Sequence, residues 1–226
     1  MSSETERLDP LATVSAFGRA AYSDLVTVIV VSLLFWIGSL PILTLGASLA
    51  AATETMRAVV DARLDGRGFN ERSRIAQFST SYRGNLQRGI PVSLALVGVA
   101  GVTMWYAIVG TAQQRGVFLV AALIGFYGFT IVTLLSFHAA DFRTVEARLS
   151  LRDAFSVASQ RALAYPSFTV LESTFAVLIT ILCVALGLTV VLVLPGLIAL
   201  LTVVAGEETE GASAAAVVKA YRGERA

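Results

Sequence analysis

Few side chains in this sequence could do chemistry, and each stands beside long apolar stretches. His138 and Asp141 lie one helical turn apart at the end of an uncharged run. That spacing suits a proton relay or pH sensor, or else a mutually satisfied pair at a membrane interface. Glu172 is the only acid inside a candidate span, roughly 9 Å beyond Pro166 along a helix. An ionisable group at membrane depth is costly and marks function by default, although at this depth a snorkelling or loop glutamate fits equally. Asn85, flanked by Arg83 and Arg88, could hold a phosphate or a lipid headgroup, since arginine suits bidentate oxyanion contacts; ordinary loop arginines are the alternative. Pro41, Thr44 and Gly46 mark a break inside an apolar run. Pro41 removes a backbone donor and disfavours helix at Leu40. In lipid the freed backbone groups need protein or water partners, so the break belongs against other helices.

These candidates do not assemble into a catalytic set. One histidine and one cysteine (His138, Cys183) cannot make a zinc site of the usual kind. HExxH, GxSxG, phosphate-loop and dinucleotide-binding motifs are missing from the sequence. Catalysis generally needs a paired acid and base or an activated nucleophile. The expectation is therefore a protein that is not an enzyme, with no catalytic residue, metal or cofactor.

The elements that must position these residues follow from composition. The chain has 226 residues, 56% of them hydrophobic and 15% charged, with mean hydropathy +0.75. Soluble domains carry about 25% charged residues. Residues 25–53, 89–114, 116–140 and 173–206 contain no Asp, Glu, Lys or Arg. Each run reaches the roughly 20 residues that cross a hydrocarbon core. This excludes a soluble globular domain, a disordered chain and a disulfide scaffold. Net charge is +1, which gives no pull toward nucleic acid. The fold class is an all-α, polytopic transmembrane helical bundle.

The expected organisation has three parts. Residues 1–24 form an N-terminal tail with an interfacial helix opening at Asp9-Pro10; they lack the basic start of a signal peptide. Residues 25–206 form the transmembrane domain, with spans at 25–53, 90–112, 116–140, 166–186 and 188–206. Its first span is one helix kinked at Pro41, a hairpin there being the lesser alternative. Residues 207–226 form a C-terminal tail. Gly187 is the best turn between the last two spans; four spans, with one long broken last helix, is the alternative. Seven arginines fall in 54–88 and four in 141–165, against only Arg115 in the joint between spans. Basic residues accumulate in cytoplasmic loops. The two segments then lie inside as amphipathic helices, with the N-terminus outside and the C-terminus cytoplasmic, in a multi-pass cell-membrane protein.

Two further patterns shape the functional expectation. Asp61-Ala-Arg-Leu64 echoes Glu146-Ala-Arg-Leu149, and each is followed by a polar helix and a proline (Pro91, Pro166). This suggests a parallel internal repeat, with the Pro41–Gly46 break opposite Gly125–Gly128. Close packing through common glycines is the alternative. The stretch Phe35-Trp-Ile-Gly-Ser-Leu-Pro41-Ile-Leu-Thr44-Leu-Gly46-Ala47, together with Tyr82-Arg-Gly-Asn85-Leu-Gln-Arg88-Gly89, resembles the YesL-like membrane proteins, a family of unknown function. The resemblance covers roughly 25–92; Asn85 and Arg88 match the family's Asn and following basic residue. The family often has an Asn early in the first span, where this chain has apolar residues and Ser32. The resemblance implies a companion of carbohydrate uptake systems and carries over no active site. Three roles follow as expectations: a non-enzymatic accessory of carbohydrate or other solute uptake, a small stand-alone transporter with its site near Pro41, or a scaffold binding lipid or a cytoplasmic partner. Expected partners are the bilayer, transporter subunits and anionic headgroups met by the Arg-rich segments.

Overall fold

Proline and glycine punctuation cuts the apolar chain into ten α-helices among the described residues of the computed structural model, which are 10–67, 70–146, 149–210 and 214–222. They are α1 (Pro10–Ser23), α2 (Leu25–Ser39), α3 (Leu45–Leu64), α4 (Glu71–Gln113), α5 (Gly116–Val145), α6 (Leu151–Ala164), α7 (Pro166–Ala185), α8 (Thr189–Leu192), α9 (Leu194–Glu210) and α10 (Ala214–Arg222). Proline opens α1 and α7 at the first helical position, where its missing N–H is not needed. Asp9, expected to cap α1, lies outside the described residues.

The first apolar run is not one kinked rod. A one-turn 3-10 helix at Ile42–Thr44 separates α2 from α3. Arg63, near the end of α3, holds Asp24, just before α2, at 2.9 Å. Along a continuous helix those two residues would stand roughly 58 Å apart. The chain therefore folds back at Pro41 into a helical hairpin, and the expected single span over 25–53 is corrected. The start of α2 and the end of α3 share one end of the molecule. α1, which runs directly into Asp24, adjoins that same end.

α4 and α5 form a second, longer hairpin, turning at Gln114 in the left-handed region (φ 50°). α4 is 43 residues, roughly 64 Å, and runs unbroken through Pro91. So 71–88 belongs to the same rod as the expected span 90–112. The far part of this hairpin is clad in exposed apolar side chains, among them Val102, Met104, Trp105, Ile108, Val117 and Ile124. Water would not leave such a surface bare; lipid covers it without cost.

Three described helices are long and apolar enough to cross a membrane: α4, α5 and α7. The α1–α2 pair has suitable composition but bends by 82°, which allows up to four. The fold is all-helical with membrane-spanning capacity. α9, at 17 residues, is shorter than the expected fifth span, and Ile198–Glu207 is buried along its length. Gly187 does adopt a left-handed turn (φ 66°) after α7. Arg161, at the end of α6, reaches the carbonyl oxygens of Ala205 and Gly206 near the end of α9, so α9 runs back alongside α7. The two segments of the expected repeat differ locally. Pro91 sits inside α4, whereas Pro166 starts α7; residues 147 and 148 of the second copy lie outside the described residues.

At the packed end, α3 is the central element. Ala47, Ser48, Leu49, Ala50, Ala51, Ala52 and Thr53 are all buried. Small side chains let neighbouring helices approach on every side. The buried hydroxyls of Thr53 and Thr55 bond carbonyls one turn back, at 3.0 and 2.7 Å, so they add no unpaired polar group.

Candidate functional site

The hairpin tip is held by local polar contacts and by one close backbone approach. Thr44 Oγ1 lies 2.6 Å from the carbonyl oxygens of both Gly38 and Pro41. No side chain within the turn caps α3. Instead the Gly46 N–H, one of the orphan donors of a helix start, donates to Ser93 Oγ on α4 at 2.8 Å. Ser93 passes the bond on to the Gly89 carbonyl at 3.1 Å. α9 repeats the device: the Gly196 N–H donates to Ser32 Oγ on α2 at 2.9 Å. Sequence reading missed Ser93 and Ser32 because a serine in an apolar run signals nothing about its partner.

Around Gly46, Asn85, Arg88 and Gly89 the free space is about 20 Å³, close to one water. Pro41 lies exposed at the tip. Asn85 is buried, and its Nδ2 donates to Glu54 Oε1 and to the Ser81 carbonyl, both at 2.9 Å. Its amide N–H groups are thereby directed at Glu54 and Ser81, while Arg83 is exposed. Arg88 is exposed and shares the small space with Arg143 of α5.

His138 and Asp141 do not pair with each other. Asp141, 2% exposed, grips Arg57 of α3 in bidentate fashion: Nε to Oδ1 at 2.5 Å and Nη2 to Oδ2 at 2.7 Å. Arg57 Nη1 donates to Glu207 Oε1 of α9 at 2.9 Å. One arginine thus joins three helices inside the packed end. Gly206 makes the room; a Cβ there would stand 2.8 Å from Asp141 Oδ2. The buried guanidinium is thus met by carboxylate on both sides, as a buried charge requires. Neither Arg57 nor Glu207 stood out in the sequence as more than a loop arginine and a tail acid. The available signal was placement: Arg57 falls on the helical stripe of Ala50, Thr53 and Val60.

His138 turns instead to Glu172 of α7, with Nε2 3.0 Å from Oε1 and 3.1 Å from Oε2. Glu172 is buried. The two residues line a cavity of about 270 Å³ between α5, α6 and α7. Arg161 borders the same cavity, its guanidinium 5.2 Å above the Phe142 ring. Four of the expected residues are thus split between two places: Pro41 and Thr44 at the hairpin tip, His138 and Glu172 at the cavity. Among the described residues no group of three or more His, Cys, Asp or Glu side chains could hold a metal ion.

A third polar cluster locks the other end of the α2–α3 hairpin. Asp24 accepts from Arg63 and, at 2.8 Å, from Tyr221 Oη of α10. Burial first, then the Asp24 carboxylate, push the Tyr221 phenol well above its usual range. It remains a donor when an unfolded tyrosine would ionise, so this contact loses stability as pH rises past about 10. Tyr221→Phe is expected to weaken the docking of α10 by about 1.5 kcal/mol. That corresponds to about tenfold faster tryptic cleavage at Lys219, measured against the parent under native conditions.

No protein-family model, curated protein or solved structure matches this chain.

Proposed function

We propose that the chain is a non-enzymatic membrane component that serves a solute uptake system, carbohydrate uptake among them, by docking a partner on its basic end. The observation that carries this reading is α4: one unbroken helix of 43 residues joins an apolar half, fit to span, to a polar half exposing Arg72, Arg83 and Arg88. A rod of roughly 64 Å exceeds a hydrocarbon core of about 30 Å twofold. Its polar half therefore stands in the aqueous phase, rigidly continuous with the span. The resemblance of Phe35–Ala47 and Tyr82–Gly89 to the YesL-like proteins supports the same role.

In this reading α1, the 54–88 and 141–165 segments and α10 face the cytoplasm. Arg115, in the α4–α5 turn, is the described basic residue at the opposite face, in keeping with the positive-inside bias. α4, α5, α7 and the α8–α9 arm are the crossings, and the α2–α3 hairpin enters from the cytoplasmic side.

The test is purification from native membranes in a gentle detergent. A transport-system subunit is expected at stoichiometric level, falling at least tenfold when Arg72, Arg83 and Arg88 are replaced by glutamate. Recovery of the protein without such a subunit overturns the proposal, as does solute flux through vesicles containing this chain alone.

A further inference from the structure

We infer that the cavity between α5, α6 and α7 binds the head of a neutral lipid alcohol, a hydroxyl-bearing head on a single apolar chain. The inference rests on the membrane reading of α5 and α7, and is independent of the uptake role.

Shape and lining supply the apolar half of the argument. The cavity, about 270 Å³, is close to the lower end of ligand pockets. Ile131, Leu134, Leu135 and Phe168 form its walls. Leu163 and Tyr165 line it and are also exposed, so it reaches the molecular surface beside them. That place adjoins Pro166, where a polar helix gives way to an apolar one. There hydrocarbon meets water, and an amphiphile would present its head.

The polar groups decide the head. Glu172 Oε1 is buried and has no hydrogen-bond partner, although Nε2 of His138 lies 3.0 Å away; Nδ1 of His138 has none either. The Glu172 side chain is only 6% exposed, so water does not readily compensate it. An anionic head would meet the Glu172 carboxylate. A cationic head would meet Arg161, which lines the cavity while bonding the Ala205 and Gly206 carbonyls. A neutral hydroxyl escapes both repulsions. It donates to Glu172 Oε1, the carboxylate oxygen without a hydrogen-bond partner.

The test uses the full-length protein in phosphatidylcholine vesicles and a monooleoylglycerol carrying a photoactivatable diazirine in its chain. Labelled peptides are expected within 131–138 and 158–173. Unlabelled monooleoylglycerol or oleyl alcohol should cut labelling at least fivefold, and the stronger competitor identifies a glycerol or a simple alcohol head. Oleate and oleylamine at equal concentration should leave it within twofold. Glu172→Gln should lower labelling about fivefold, and Ser159→Phe, which fills the cavity but leaves the His138–Glu172 pair intact, about tenfold. If Glu172→Gln fails to fold, Ser159→Phe decides. Labelling spread evenly over α4 and α5, equal competition by the charged amphiphiles, or full labelling of Ser159→Phe overturns the inference. Its failure leaves the docking proposal standing, since that is read from partner recovery.

Discussion

Arg57→Gln is expected to be the most damaging single substitution in the described chain. Removing one member of a buried ion pair costs about 3–5 kcal/mol, because the partner charge stays buried without compensation. Here Asp141, at 2% exposure, loses both arms of its guanidinium fork, and Glu207 on another helix loses its Arg57 contact. Single-domain stabilities of about 5–15 kcal/mol leave little after such a loss. The expected readout is a sharp fall in the thermal or denaturant midpoint of the detergent-purified protein and poor recovery on expression. Arg57→Lys should rescue only part. A lysine ammonium is a point charge and cannot reproduce the Nε and Nη2 fork on Asp141 together with the Nη1 contact to Glu207. The triple change Arg57→Met, Asp141→Asn, Glu207→Gln should recover most of the lost stability, since it removes the charges together. A triple variant as unstable as Arg57→Gln would show that the ion pairs are not what the single substitution breaks.

The second large effect is expected at Gly46 and Gly89, where α3 meets α4. A Cβ on Gly46 would stand 2.3 Å from the Gly89 carbonyl oxygen, and one on Gly89 would stand 2.4 Å from the Ala47 backbone nitrogen. Both obstacles are main chain, so no flexible side chain can yield. Overpacking costs about 1–3 kcal/mol, occasionally more, and separating the helices also breaks the Gly46 N–H bond to Ser93. Gly46→Ala and Gly89→Ala should each destabilise by about 3 kcal/mol. Gly84→Ala is the control within the same helix: nothing lies within 4 Å of its Cβ position. Helix propensity alone then acts, and that substitution should stabilise by up to about 1 kcal/mol. Equal effects at positions 84 and 89 would contradict the close approach.

The site was only partly legible from residue types and spacing. Pro41 and Gly46 announced a break, because proline removes a donor and glycine permits close contact. A break does not specify an angle, and the reversal there is decided by Gly89, by Ser93, and by Asp24 meeting Arg63. His138 and Asp141 invited pairing through helical spacing. Each instead found a partner on another helix, 34 residues away for His138 and 84 for Asp141. Local spacing brings two side chains to one stripe, but the neighbouring helix decides which groups meet them. Arg57 was hidden by its surroundings: α3 is buried on almost every side, so its pattern of small residues marks no single inward face.

By itself the sequence determined that this is an apolar, all-helical chain with segments long enough to span a membrane. Length and uncharged composition set that directly, since lipid demands internally bonded backbone over a fixed thickness. It also set the helix starts at Pro10 and Pro166 and the turn at Gly187, where backbone stereochemistry acts locally. Only the tertiary structure decided that the first run folds back, that α1 and α10 share an end, and that Arg57 binds Asp141 and Glu207. Those outcomes depend on contacts between residues up to 197 positions apart, as between Asp24 and Tyr221. Such contacts are chosen by packing and by the need to pair buried charge, which no local window of sequence contains.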